Sequence, residues 1–169
     1  MITVNPGHIL LPFVQRTTSI FGDIIDGEMR LNEPGMIVQD SWVDLPNHYA
    51  NIGVDAFAVM PNHIHGIIII LDDVRAGLKP APTQHGLFEI VRGFKTFSAR
   101  RIKEYRNSTG GHIWHRSYWE HVIRNEHTLD AVREYITQNP LRWELDHYNK
   151  NATGEDPAEK HLWQSWYDL

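Results

Sequence analysis

The 169-residue sequence contains no cysteine. That excludes a disulfide framework, a thiolate metal site and a cysteine nucleophile, and it suits a reducing, cytoplasmic compartment. Long apolar runs are also missing. The strongest, Ile67 to Leu71 after Gly66, falls far short of the roughly 20 residues a membrane helix needs, so no membrane partner is expected. The N-terminus has no basic stretch followed by a long apolar one, and no signal peptide is read there. No internal repeat and no dividing linker appear. Residues 1–150 therefore read as one domain, followed by a polar tail, 151–169, whose Trp163 and Trp166 are expected to dock.

An excess of positive charge is lacking too: the formal net charge is −5 with histidines neutral. Taken alone, this weighs against nucleic acid, whose binders usually carry basic patches. The sum hides an uneven distribution. Arg92, Lys95, Arg100, Arg101, Lys103 and Arg106 lie close together, opposed only by Glu104, while acidic residues gather at Asp23 to Glu33, Asp72–Asp73 and Glu155 to Glu159. One basic segment on an acidic protein can track a phosphate backbone. A solvated helix face explains the same charges equally well.

Hydrophobic content of 41% and charged content of 22% suit a globular domain. His8 to Thr17 reads as a poor strand because Pro12 cannot donate to a ladder. Ile24 to Leu31 reads as a hairpin turning at Asp26–Gly27. Pro34–Gly35 opens a helix that ends near Pro46–Asn47. Val54 to Met60 and Ile64 to Leu71, joined by Pro61–Asn62, read as adjacent central strands. After a loop at Asp72 to Thr83, Leu87 to Tyr105 has helical periodicity. Tyr118 to Arg124 fits a strand, and Leu129 to Gln138 a helix stopped by Pro140. Asn151 to Glu159 reads as polar and loosely held. The order predicts an α+β fold: a βαββαβ sandwich, helices on one face of a mostly antiparallel sheet, with an added C-terminal helix.

Two local patterns could carry chemistry. In Met60-Pro61-Asn62-His63-Ile64-His65-Gly66, strand alternation puts His63 and His65 on one face and Ile64 in the core. Two imidazoles so placed can grip a divalent cation; with 11 histidines in the chain, two ordinary strand histidines are the bland alternative. In Glu134-Tyr135-Ile136-Thr137-Gln138-Asn139-Pro140, Tyr135 and Asn139 share a helix face about 6 Å apart along the axis. A phenol whose reference pKa is about 10 can attack phosphorus if a nearby cation stabilises the developing charge. The alternative is a packed tyrosine with Asn139 as a helix cap.

Taken together these motifs resemble the HUH-type single-tyrosine transposases, which include small insertion-sequence enzymes and REP-associated tyrosine transposases. The resemblance runs over roughly residues 20 to 145. It also rests on Phe21-Gly22 through Leu31-Asn32, on Ile90 to Ser98 around Gly93-Phe94-Lys95, on Ile113-Trp114, and on Tyr118-Trp119-Glu120-His121-Val122-Ile123-Arg124. It implies a ferredoxin-like βαββαβ domain in which His63 and His65 bind Mg²⁺ or Mn²⁺ and Asn139 supplies a third ligand. Gln138 ranks lower because it points about 100° away. Tyr135 would attack a phosphodiester of hairpin-bearing single-stranded DNA, forming a 5′-phosphotyrosine and releasing a 3′ hydroxyl. Lys95 matches a lysine of the group, and His121 a histidine. Arg92, Arg100, Arg116 and Arg124 are candidate phosphate contacts, and Trp114 and Trp119 candidate stacking platforms. Each has a plain structural alternative, solubility for the arginines and core packing for the tryptophans.

The group is associated with a bacterial nucleoid setting, and monomers and homodimers both occur in it. One departure is Pro12, in a first strand the group usually keeps uninterrupted. A strand that is bulged or at an edge would accommodate it, as would a decaying gene copy. The rival function is a domesticated descendant that binds DNA without cutting it. A histidine-triad hydrolase is disfavoured because Ile67 stands where a third alternating histidine would be needed.

Overall fold

The computed structural model describes residues 7–14, 19–71 and 85–167, without the side chains of residues 8, 10–14, 163 and 165–167. The expected loop at Asp72 to Thr83, the end of the first strand at Thr17, and the side chains of Trp163 and Trp166 lie outside the described residues.

The main sheet has four strands: β1 (Gly7–Val14), β4 (Ile52–Val59), β5 (His63–Ile70) and β6 (His121–Ile123), in the order β4-β5-β1-β6 with every pair antiparallel. Helix α1 (Glu33–Val43) connects β1 to β4, and α3 (Leu87–Tyr105) connects β5 to β6. The connectivity is therefore βαββαβ. A separate hairpin, β2 (Gly22–Ile25) and β3 (Glu28–Leu31), is inserted before α1. Its turn has positive φ at both Asp26 (53°) and Gly27 (74°), the backbone that suits a two-residue hairpin loop. Short α2 (Leu45–His48) follows α1. Helix α4 (Glu126–Gln138) follows β6 and runs on as a 3-10 helix over Asn139–Leu145, and α5 (Pro157–Tyr167) closes the chain.

Strand alternation divides the core between two faces of the sheet. Ile64 and Ile68 of β5 pack with Trp42 of α1 and Ile90 and Phe94 of α3. Ile67 points the other way, toward Leu129, Val132, Tyr135 and Ile136 of α4 and Leu162 of α5. Helices thus cover both faces, not one: α4 and α5 form a second layer over the histidine-bearing face.

The strand at Pro12 is better formed than its sequence suggests. β1 lies inside the sheet, and Pro12 stands opposite His65. Pairing with β6 stops at Leu10, so Pro12 falls where the ladder has one open side, which a residue without an N–H tolerates. β6 is shorter than expected, and Trp119 precedes it. Lys95 explains part of this: its ammonium donates to the carbonyls of His115 and Ser117, both at 3.1 Å, drawing that segment toward α3.

Two start signals set the helices. Asn32 caps α1 by accepting from Gly35 N–H at 3.0 Å, and Asn125 caps α4 by accepting from Thr128 N–H at 2.8 Å. The second cap places the start of α4 at Glu126, three residues before Leu129. A bulge in β4 between Val54 and Phe57 presents Asp55 to Arg133 of α4, 2.7 Å away, and fastens that helix to the sheet.

Gly66 is where the two layers leave no room. A Cβ there would lie 2.4 Å from Trp42, whose ring stacks on Phe57 at 4.7 Å. Gly66→Ala is therefore expected to destabilise the fold by about 1–3 kcal/mol through overpacking, read as a lower thermal midpoint. An unchanged midpoint would show that Trp42 can move aside.

Candidate metal and tyrosine site

His63 and His65 leave β5 on the face beneath α4, and both are buried. Their Nε2 atoms are 2.9 Å apart. Which of them carries a proton follows from the neighbours. The Asn62 amide nitrogen donates to Tyr148 O at 2.7 Å, so Asn62 Oδ1 faces His63 Nδ1 at 2.9 Å and accepts its proton. That leaves Nε2 of His63 as a lone pair directed into the site, an outer hydrogen bond of the kind that fixes a ligand's tautomer.

Asp146 brings its Oδ2 to 3.4 Å from the same Nε2. His63, His65 and Asp146 each offer a ligand atom, and all three atoms lie within 4.8 Å of one another. The carboxylate follows the 3-10 helix and is buried. Nothing in the sequence marked it: it lies seven residues beyond Asn139, carried by an irregular turn and not by a periodic element.

Tyr135 lies against this cluster. Its ring packs edge-on to His65 with centroids 5.3 Å apart. One turn on, Asn139 is buried, and its Oδ1 has no hydrogen-bond partner; neither has Nδ1 of His65. Tyr135 is itself buried, at 7% exposure, beneath the α5 layer. The phenol is thus covered, yet it adjoins the imidazole pair within its own chain.

The charges of this cluster suit a cation. Burial holds His63 well below the ordinary imidazole value, with the charges of His65 and His147 acting the same way. Burial lowers His65 to about 4, against the pull of Glu159. Both are neutral at pH 7 and able to ligate. Burial raises Asp146 to about 6, opposed by the backbone N–H of Tyr148. The Tyr135 phenol is pushed above its ordinary value by burial first, then by the charges of Glu159 and Asp146, while a side-chain hydrogen bond with Asn139 works the other way. With its Nδ1 protonated, His63 turns its Nε2 lone pair toward Nε2 of His65 at 2.9 Å and a carboxylate oxygen at 3.4 Å, an arrangement that a cation would neutralise. Two imidazoles and a carboxylate are a donor set that suits a divalent first-row metal.

Residues 151–155 of the stretch that reads as loose are exposed, while its far end is anchored beside this site. Asp156 and Glu159 are buried. His147 Nδ1 reaches Glu159 at 2.5 Å, Arg142 reaches Asp156 at 3.6 Å, and Asp156 also accepts from Ala158 N–H at 2.9 Å. Polar residues stay buried here because each has a partner.

The candidate DNA contacts fall into different settings. Arg92, Arg116 and Arg124 are exposed. Arg100 is exposed beside Glu104 and lies over the Phe97 ring at 5.2 Å. Lys95 is committed to loop carbonyls, and burial lowers it to about 8. Trp114 is not a stacking platform: it is in the core, where its Nε1–H donates to Ser98 Oγ at 2.9 Å and its ring meets Phe21 and Phe94. Trp119 is 61% exposed, at the surface. His121 is half-buried, lowered by burial and by Arg124.

The family model described as "Transposase IS200 like" matches residues 47–139, which carry the histidine pair, Tyr135 and Asn139. The chain belongs to the IS200-like transposase family. It is 36% identical over 138 residues to an uncharacterised protein of Haemophilus influenzae, covering 75% of this chain and 76% of that one. It is 31% identical over 93 residues to a protein of the same organism named as a REP-associated tyrosine transposase, covering 52% of this chain and 48% of the relative. In fold it is similar to a REP-associated tyrosine transposase solved bound to a REP hairpin, with a TM-score of 0.58, 16% identity, and coverage of 80% of this chain and 67% of the other. Among the described residues, no helix is long and apolar enough to cross a membrane.

Proposed function

We propose that this IS200-like transposase cleaves and rejoins hairpin-bearing single-stranded DNA, with Tyr135 as nucleophile beside a cation held by His63, His65 and Asp146. The observation that carries this reading is the packing of the Tyr135 ring against His65, 5.3 Å away, where three ligand atoms converge. In the step itself the phenol oxygen bonds to phosphorus and the bond to the 3′ oxygen breaks, giving a 5′-phosphotyrosine and a 3′ hydroxyl. The reverse attack by a 3′ hydroxyl reseals the strand without an external energy source.

A bound Mg²⁺ or Mn²⁺ supplies positive charge for the phosphate oxygens and for the oxygen that leaves. The chain supplies the rest. Asn62 orients His63, the α4 helix holds the phenol in place, and the buried setting excludes water. Asn139 stands one turn from the phenol with an unsatisfied oxygen, placed to serve as a further ligand or to hold the phenol through its amide. Arg92, Arg116 and Arg124 are candidate phosphate contacts, and Trp119 a stacking surface. DNA that reaches Tyr135 must pass between α4 and α5, where a groove lined by Tyr135, Arg142 and Leu162 opens.

The test is a labelled hairpin-bearing oligonucleotide incubated with the protein and Mn²⁺, then denatured. A covalent protein–DNA adduct that forms with Mn²⁺ and is absent with EDTA is the expected result. Binding of the hairpin with no adduct under either condition would leave the protein as a DNA-binding descendant.

A further inference from the structure

The helix that carries Tyr135 is seated on a smooth surface. Ala56 and Ala58 of β4 and Ile67 of β5 pack against Leu129, Val132 and Ile136 of α4. Alanines give a helix little to interlock with, and apolar burial is non-directional. Such packing resists lifting α4 off the sheet more than it resists rolling α4 about its axis. One contact is directional. Arg133 donates through Nη2 to Asp55 Oδ2 at 2.7 Å, and through Nε to the same oxygen at 3.1 Å and to Oδ1 at 3.3 Å. The carboxylate is itself held, because Oδ1 accepts from the N–H of Ala56 at 2.7 Å. A forked guanidinium–carboxylate contact constrains angle as well as distance. Arg133 is 40% exposed, so charge attraction contributes little to stability, and geometry is what the pair supplies.

The place of the contact on the helix gives it leverage. At about 100° per residue, Arg133 and Tyr135 stand about 160° apart around α4. They flank the buried stripe of Leu129, Val132 and Ile136 from opposite sides. Arg133 reaches β4, at the edge of the sheet, while Tyr135 reaches His65 on the neighbouring β5. A roll of about 10° would carry a group at the outer radius of a helix, about 5–6 Å, through about 1 Å. A misplacement of about 1 Å can cost about a hundredfold in rate.

We propose that Asp55 and Arg133 are positioning residues: they fix the roll of α4 and so aim the Tyr135 phenol at the phosphodiester. The inference rests on the DNA-cleaving reading and adds to it two residues that act through the tyrosine helix. Arg133 also meets Asp130 at 3.1 Å, but Asp130 lies on α4 itself, 72% exposed, and cannot tie the helix to the sheet. That second pair is the internal control.

The experiment separates rate from binding in the full chain. Adduct formation is timed in a single turnover with saturating hairpin-bearing oligonucleotide and Mn²⁺. Hairpin affinity is measured by anisotropy in EDTA, and Mn²⁺ affinity by titration. Asp55→Asn should slow the adduct by about 10- to 100-fold. Arg133→Lys, which keeps the charge but loses the fork, should slow it on the order of tenfold. Both should keep hairpin and Mn²⁺ affinities within about twofold of wild type, because neither residue belongs to the cation site. Asp55→Asn combined with Arg133→Lys should be no slower than the worse of the two alone, as expected for residues acting as one unit. Asp130→Asn should leave the rate unchanged. Wild-type rates in Asp55→Asn and Arg133→Lys, or an equal loss in Asp130→Asn, overturn the proposal and leave the metal-dependent adduct untouched. Losses of hairpin or Mn²⁺ affinity that match the loss of rate, or unfolding at the assay temperature, make the pair a brace of the whole fold and overturn it as well. Absence of adduct in the wild type overturns it together with the reading beneath it.

Discussion

Tyr135→Phe is expected to abolish the covalent protein–DNA adduct while leaving the fold, the cation site and DNA binding in place. The substitution removes one oxygen. The ring that packs on His65 stays, and so does the apolar contact with Ile67 and Ile136. What is lost is a hydrogen bond with Asn139, worth about 1 kcal/mol in a typical protein. Removing a nucleophile from an assembled site has cost on the order of a million-fold in rate in a well-studied protease, so adduct should fall below detection. Gel analysis after denaturation measures the adduct, and anisotropy with the hairpin measures binding. An undiminished adduct with the phenylalanine variant would move the nucleophile to another residue and end the assignment of Tyr135.

The surroundings of the phenol favour its neutral form. Burial and the charges of Glu159 and Asp146 all keep its proton on. A cation on the histidine pair and Asp146 would cancel part of that field at the place where the phenol must lose its proton. On the proposed reading Asp146 would both help to hold the cation and keep the phenol protonated without it, and cleavage would depend on prior occupancy of the site.

Much of this was legible from sequence, and what was legible shares one property: short-range periodicity. β4 and β5 were visible as β-branched runs around Pro61–Asn62, and α3 as a helical pattern from Leu87 to Tyr105 that the structure reproduces at both ends. His63 and His65 could be put on one face because strand alternation is strict, and Tyr135 and Asn139 because four residues are about one helical turn. β1 was underrated, since the penalty for Pro12 depends on whether a neighbouring strand extends that far, and β6 does not. The resemblance to a family added order and spacing among segments that are individually weak.

The illegible parts depend on contacts far apart in sequence. Residues 151 to 159 look like a solvated tail because polarity is all the sequence displays. Residues 151–155 are exposed, as their polarity suggests, while the burial of Asp156 and Glu159 depends on Arg142 and His147 arriving as partners from the preceding segment. Asp146 has no pattern to betray it, being placed by a 3-10 helix that continues past Pro140. Trp114 and Trp119, five residues apart, look interchangeable. Only the packing of α3 decides that Trp114 belongs to the core while Trp119 stays at the surface.

The remaining large effect concerns the cation, and it separates Asp146 from Asn139. Wild-type protein titrated with Mn²⁺ should show binding by loss of the free-ion electron paramagnetic signal, and a rise in thermal midpoint. A ligand at a hundred times its Kd stabilises a fold by about 2.7 kcal/mol. His65→Ala removes a ligand atom outright and should weaken binding by at least about a hundredfold, since even residues that merely orient ligands cost about 10- to 100-fold. Asp146→Asn keeps the volume and an oxygen but removes the charge 3.4 Å from His63 Nε2. It should weaken Mn²⁺ by about tenfold or more and also raise the midpoint of the cation-free protein, because it removes a buried carboxylate facing a lone pair. Asn139→Ala should weaken binding less, since a neutral amide contributes no net charge. If Asp146→Asn binds Mn²⁺ like the wild type while Asn139→Ala does not, the carboxylate is a bystander and the amide one turn beyond Tyr135 completes the site.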